Sequence, residues 1–421
     1  MAEYLNKLCL SEDVVVEILS RLSPKPLMRF KCACKSWYNL IKSPSFVAKN
    51  LSYSKNNEFA SSTSLVFKRT VLKDNTIKDK NEITSILSED NNNRKETLLS
   101  LLTLSNHDDQ NFGCIVEDFP LPSPMCFYAL NIPLAGHCDG IVCLSLVNDE
   151  DVVLYNPSIK EDFEFLPKSC LLLPHKDFND FDNEDDYYDA LRSDPRGVGF
   201  GFDSKAKVYK VVRIVGFTSG YYADTHPSRA EVFTLGARSW REIKIDTKVT
   251  VFSHPSFNIC LKGICYWSAL IRDKEVLLSF HMSEELFDEI SVPESIHHME
   301  GFLKTFSVWK ESIVLVAYKR DDDPKFLDIW VMGEPGDFRG SWTKHLTIGP
   351  VECDIPLSFW KSDEILVGTA DGCVVSYNID TQTLKYLPIH VAEGPSRTQC
   401  LVYVNSIISV KENNSSMRQL P

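Results

Sequence analysis

The chain has no run approaching the roughly 20 uninterrupted apolar residues that a membrane helix requires, so a helical membrane protein is excluded. Its first residues, MAEYLNKLCLSED, lack an apolar core of signal-peptide length, which argues against secretion. The 13 cysteines are an odd set without a C-x-x-C pair. In a chain large enough to build its own core, that argues against a disulfide framework and favours reduced thiols of the cytosol or nucleus. No phosphate-cradling P-loop occurs, and VGFGF (198–202) lacks the following helix that a dinucleotide fingerprint needs. His137, Cys138 and Asp139 are consecutive on what reads as a turn into a strand at Gly140, and adjacent side chains cannot form a catalytic relay. His297 and His298, with Glu294 and Glu300 near, read as a surface loop rather than a metal site. Neither catalysis, a cofactor nor a metal is expected.

What is present is a soluble chain of 421 residues, 43% hydrophobic and 24% charged, long enough for one small and one large domain. Charge is uneven. Residues 1–51 carry a net +4, whereas the remainder carries −17. A body that acidic is a poor binder of nucleic acid and suits a basic protein partner.

The first fifty residues read as a helical unit. In SEDVVVEILSRL, Ser11 stands at a capping position, and Glu12 and Asp13 favour the positive end of a helix. Val15, Ile18, Leu19 and Leu22 recur at i, i+3, i+4 and i+7, which makes one apolar stripe. A second helix restarts at Ser23, with Pro24 and Pro26 in its first turn and Leu27, Phe30 and Cys34 as its apolar face. Trp37, Leu40 and Ile41 continue on a third, and SPSF (43–46) opens a fourth segment. So short a unit buries too little surface to stand alone, which leaves apolar side chains for a partner to cover. Cys32 and Cys34 lack the further ligands that zinc requires. A helix-turn-helix reader of DNA is conceivable from the basic residues, but the acidic body opposes it. Docking to a protein is the reading that uses the apolar surplus.

The series Leu10-x-Glu12-Asp13, Ile18-Leu19-x-x-Leu22, Leu27-x-x-Phe30-Lys31-Cys32-x-Cys34-Lys35-x-Trp37 and Leu40-Ile41 resembles an F-box. The family's Leu-Pro pairs are replaced by Leu10-Ser11 and Leu22-Ser23. The resemblance implies a three-helix module over 8–51 that binds a Skp-type adaptor, and through it a cullin and a RING protein. Its implied adaptor contacts are Leu10, Val15, Ile18, Leu19, Leu22, Leu27, Phe30, Cys34, Trp37, Leu40 and Ile41.

Beyond a polar linker at 52–63, short β-type runs dominate. Five segments share one plan: an alternating apolar strand ending near an aromatic, a polar turn, and a second strand. Their marker aromatics are Tyr155, Phe233, Phe280, Trp330 and Tyr377, at spacings of 78, 47, 50 and 47 residues. The first spacing contains the acidic run Lys168–Asp194, and without those 27 residues it falls to 51. Four strands per unit at a period near 50 is the kelch-like pattern of a β-propeller. Five blades can be counted. A sixth would come from SLVFKR (64–69) and the strands to about 135, closed by CLVYVNSIISV (400–410). An irregular β-sandwich is the competing topology. The expected domains are thus an F-box at 8–51, the linker, an all-β kelch-like propeller of five or six blades over 64–410, and a flexible tail at 411–421.

GHCDGIVCLS, LYNPSIKEDFEFLP, GVGFGFDSKAKVYKVVRI, EVFTLGARSWREIKI, GICYWSA and PLSFWKSDEIL resemble the F-box-associated domain of plant F-box proteins, most of all the pollen S-locus group of apple and pear. That resemblance implies a substrate receptor of a ubiquitin ligase in the pollen or pollen-tube cytoplasm, with basic pistil S-ribonucleases as substrates. The matching candidate surface is the acidic run, with Asp177, Asp180, Asp182, Glu184, Asp185, Asp186, Tyr187 and Tyr188 named as substrate contacts. Aromatics among like charges suit a basic partner, although a solvated loop has the same composition. A receptor for an unrelated plant protein, a stoichiometric inhibitor and a carbohydrate-binding propeller are the other functional readings.

Overall fold

The computed structural model describes residues 11–55, 62–72, 95–107, 111–121, 133–145, 152–160, 163–171, 191–219, 222–245, 249–251, 259–271, 274–297, 301–333, 341–392 and 398–411. Among the described residues four helices come first: α1 (Glu12–Ser20), α2 (Pro24–Lys31), α3 (Lys35–Lys42) and α4 (Pro44–Lys55). Ser11 and Ser23 hold the extended backbone of an N-cap, but neither side chain makes the capping hydrogen bond that the sequence implies. Cys34 lies off the second helix, at the residue that precedes α3. The fourth helix runs through Lys55, into the stretch that reads as linker, and strand pairing begins at Ser62.

The rest is six antiparallel sheets, five of four strands and one of five, following one another along the chain as the blades of a propeller. Blade 1 combines the two ends of the domain. Its strands β1 (Ser62–Leu72), β2 (Lys95–His107) and β3 (Asn111–Pro120) are joined by the last strand of the chain, Gln399–Tyr403, which pairs with β1 from Ser64↔Tyr403 to Lys68↔Gln399. Blades 2 to 6 then occupy residues 134–165, 191–243, 249–291, 302–351 and 355–390. Glu294–His297 form a single helical turn where the sequence reads as a loop.

The five marker aromatics all fall on the third strand of a blade, opposite an apolar or small residue of the second. The pairs are Val142↔Tyr155, Val211↔Phe233, Cys265↔Phe280, Leu315↔Trp330 and Ile365↔Tyr377. Tyr155, Phe233, Phe280 and Tyr377 are buried between neighbouring blades. Period-2 alternation feeds one face of each sheet into each interblade core, which is why the aromatic recurs in blades 2 to 6. Gly199 is required on the first strand of blade 3, because a Cβ there would meet the Trp267 ring of blade 4 at 2.7 Å. Trp267 donates its indole N–H to the Val198 carbonyl at 3.2 Å, which fixes the close approach.

One pair departs from the expectation of reduced thiols. Cys260 and Cys265 are directly opposed in the ladder of blade 4, with Cα atoms 4.2 Å apart, and they form a disulfide. The other described cysteines are free.

Candidate functional site: a docked helical unit and the face opposite it

The helical unit and the propeller share one core. Leu19, Leu27, Ile41 and Phe46 pack around Ile407, a residue of the extended segment that follows the last strand. Val47, Ala48 and Leu51 of α4 pack against a blade core that includes Ile408 and Val410 of the same segment. Polar contacts hold the segment in place. Asn156 donates to the Ser406 carbonyl (3.1 Å) and the Ile408 carbonyl (2.8 Å), and the Ser406 hydroxyl donates to the Asp139 carbonyl (2.6 Å). Gly140 has φ +85° and an ideal Cβ position only 2.3 Å from Ser406 Oγ, so glycine is needed there on both counts. Ion pairs Lys55–Asp139 (2.6 Å) and Lys25–Glu117 (2.9 Å) complete the joint.

His137, Cys138 and Asp139 therefore belong to this joint. Burial pushes the His137 imidazole down to about 4 and pushes the Cys138 thiol up, so neither is prepared for proton transfer or attack near neutrality. Asp139 accepts a hydrogen bond from the Tyr209 hydroxyl at 2.8 Å.

The structure divides the expected adaptor contacts into two sets. Leu19, Leu27 and Ile41 are at most 4% exposed and are core. A helical unit this small spends its largest aliphatics inside before it can offer any outside. Ile18 is 52% exposed, and Val15, Leu22, Phe30, Cys34, Trp37 and Leu40 are half-buried. Phe30 and Trp37 meet edge to face at 5.3 Å. Val14 and Tyr38, which the apolar stripe does not single out, are also exposed. Leu10 lies outside the described residues.

In a four-stranded antiparallel blade, the turn after the first strand and the crossover to the next blade lie at opposite ends. The joint sits at the turn Asp139–Gly140, after the first strand of blade 2. The acidic run belongs to the crossover from blade 2 to blade 3, whose flanks are thus on the opposite face. Asp177, Asp180, Asp182, Glu184, Asp185, Asp186, Tyr187 and Tyr188 themselves lie outside the described residues.

The stem before that run is pinned. Glu231 accepts from Arg213 Nε (2.7 Å) and Nη2 (2.5 Å), and both residues are at most 1% exposed. The same carboxylate accepts from the Ser169 hydroxyl (2.6 Å) and the Cys170 backbone N–H (3.1 Å). Trp240, whose ring lies 4.5 Å below the Arg213 guanidinium, donates to the Pro167 carbonyl at 2.6 Å. Leu171 is buried with Val215 and Phe217. None of these residues stood out in the sequence reading. The available signal was a charged residue flanked by apolar ones at an inward position, Arg213 in VVRIV and Glu231 in AEVF.

Among the described residues no cluster of His, Cys, Asp and Glu could hold a metal ion, and no helix is long and apolar enough to cross a membrane. The described residues define a class of two-part protein, a small helical unit packed onto one face of a propeller. Two family models specify the class further. The F-box domain matches residues 8–49, and the F-box associated β-propeller domain matches residues 114–410. The chain belongs to the family of F-box proteins with an F-box-associated β-propeller. It is similar to a putative F-box protein of Arabidopsis thaliana, 23% identical over 80% of each chain. An F-box/kelch-repeat protein of the same plant is 24% identical over 84% of this chain and 83% of its own. A second F-box/kelch-repeat protein from that plant is 23% identical over 96% and 95%. F-box proteins are generally non-catalytic substrate adaptors, and an F-box implies a Skp1-type adaptor within an SCF complex.

Proposed function

We propose that this chain is the substrate receptor of an SCF-type ubiquitin ligase and that it recruits a basic protein through the face carrying the acidic run. The observation that supports this reading most is the shared core around Ile407, which packs the F-box against the propeller. A receptor works by holding substrate lysines near a loaded conjugating enzyme, so its effect is one of effective concentration and geometry. A rigid joint keeps the far face at a fixed distance and angle from the ligase. The RING protein and conjugating enzyme perform the transfer, and this chain supplies no catalytic group.

On the adaptor side, the exposed and half-buried set of Val15, Ile18, Leu22, Phe30, Cys34, Trp37 and Leu40 makes the contact. On the substrate side, eight acids against two basic residues over 176–194 steer a cationic partner, with interleaved rings as anchors. The finer identity that fits is a pistil S-ribonuclease met in the pollen-tube cytoplasm, on the strength of the sequence resemblance and the charge.

The test titrates the chain, co-purified with a Skp-type adaptor, with a panel of basic pistil ribonucleases at low and high salt. A variant with Asp182, Glu184, Asp185 and Asp186 changed to Asn or Gln runs alongside. Selective binding that weakens with salt and in the variant is the expected result. Selective binding indifferent to both moves the site to another loop. Failure to bind any panel member, with the adaptor complex intact, removes the ribonuclease assignment.

A further inference from the structure

The first strands of the blades surround a cavity of about 360 Å³ on the propeller axis. Its wall comes from blades 1, 2, 4, 5 and 6 and is largely apolar, with Ile259, Val308, Leu357, Leu401 and Val402 among the lining residues. This size falls in the range of small-molecule sites, and the apolar surface is only partly covered. Its polar groups are mostly committed to the protein. Gln399 exchanges two hydrogen bonds with the Leu134 backbone (2.7 and 3.2 Å), and the Ser358 hydroxyl donates to the Phe359 carbonyl at 3.1 Å.

Among the described residues the charged lining groups are two lysines, with no carboxylate, in a chain of net charge −13. Lys310 and Lys361 occupy equivalent places in SVWKES (307–312) and SFWKSD (358–363), one repeat of 51 residues apart. Each follows the first strand of its blade, so both stand at the same end of the cavity. Each ammonium lies over the preceding indole, at 4.3 Å from the Trp309 centroid and 4.2 Å from that of Trp360. Trp309 is held by the Ser362 carbonyl (2.9 Å) and Trp360 by the Ser376 hydroxyl (2.8 Å), so the two platforms are fixed. The neighbouring acids are engaged: Glu311 pairs with Lys262 (2.9 Å), and Glu364, which meets Lys361 at 3.2 Å, also accepts from Ser376 (2.6 Å).

We propose that the axial cavity binds a small amphipathic carboxylate, its apolar body along Val308, Leu357 and Leu401 and its acid at Lys310 and Lys361. A monoanion fits better than a phosphate, because a second charge would add desolvation cost that two single-point cations beside an apolar wall do not offset. Such a ligand touches several blades at once and therefore stabilises the closed ring, since it binds the folded state alone. None of these lining residues is among the substrate or adaptor contacts named above.

The experiment uses the full chain with its Skp-type adaptor and three probes of one length: decanoate, decan-1-ol and decylamine. Calorimetric titration and thermal melting are the readouts. Decanoate is expected to bind and raise the melting temperature, with decanol at least about tenfold weaker and decylamine weaker still. Lys310→Gln with Lys361→Gln should bring decanoate down to the level of decanol, and Leu357→Trp should abolish binding of both. Equal binding of all three probes, or decanoate binding that survives Leu357→Trp, would overturn the proposal. If Leu357→Trp does not fold, a photoreactive decanoate analogue on the unmodified chain decides. Labelling of peptides 306–310 and 355–361 supports the site, and labelling confined elsewhere removes it.

Discussion

Arg213 and Glu231 stand directly opposite each other on the second and third strands of blade 3, and Glu231 also holds the stem of the acidic run through Ser169 and Cys170. One sealed carboxylate thus ties the blade core to the base of the candidate recognition loop. Buried ion pairs of this kind add little net stability, but removal of one partner leaves a charge without compensation.

Glu231→Gln should therefore destabilise the protein by about 3–5 kcal/mol in denaturant titration. It should also open the chain near 166–171 to limited proteolysis. Arg213→Met with Glu231→Leu should recover much of the stability, because both charges are gone. The stem should stay open in that double variant, since Ser169 and Cys170 have still lost their acceptor. A double variant with normal protease resistance at the stem would show that Glu231 does not anchor it.

The F-box offers a clean separation of core from contact. Leu27 is completely buried, so Leu27→Ala should cost about 2–5 kcal/mol, and a charged residue there would unfold the unit rather than blind it selectively. Ile18→Asp lies on the surface and should leave stability within about 0.5 kcal/mol while it abolishes adaptor capture. Melting and adaptor pull-down on the same preparations distinguish the two. Adaptor capture undiminished by Ile18→Asp would move the contact to another part of the helical surface.

Much of this architecture was legible because it is periodic. The aromatic that recurs in blades 2 to 6 and the second strands IVCL, ICYW, IVLV and EILV carry alternation that survives even where the loops vary. The closing strand was also readable, within the apolar run CLVYVNSIISV (400–410), of which the part through Tyr403 pairs with β1. Less legible was anything that depends on a long-range partner. The burial of Leu19, Leu27 and Ile41 depends on Ile407, some 366 residues beyond Ile41, and no local spacing encodes that contact. Arg213 and Glu231 look like ordinary strand residues until their opposition is known. The disulfide between Cys260 and Cys265 is of the same kind, since a spacing of five residues forms a bond only when a tight hairpin puts the two across from each other.

The segment after Tyr403 has two duties, and truncation can separate them. Deletion of 404–421 leaves the closing strand Gln399–Tyr403 in place but removes Ile407, Ile408 and Val410 from the joint. Calorimetry should then resolve two transitions in place of one, with the helical unit melting first. Deletion from residue 399 onward also opens blade 1, so the propeller itself should lose its cooperative transition. A single unchanged transition after the shorter deletion would mean that α4 alone couples the two domains.

Glu17 gives the joint between α1 and α4 a pH dependence of definite sign. Its carboxylate receives Lys49 (2.5 Å), the Tyr53 hydroxyl and Arg21 (2.6 Å), and these donors, Lys49 foremost, hold it at about 2, against an ordinary 4.5. A carboxyl depressed in the folded state contributes stability that is complete above the unfolded value and is lost as pH falls through the folded one. The loss from this site should therefore begin near pH 4.5 and continue toward 2. Glu17→Gln has already given up the contribution at neutral pH, so its urea midpoint should lie below that of the unmodified protein at pH 7 and converge with it as pH approaches 2. Other carboxyl groups act equally on both proteins, and the difference between the two curves isolates Glu17. Curves that remain parallel from pH 7 to 2 would show that Lys49, Tyr53 and Arg21 do not hold this carboxylate in solution.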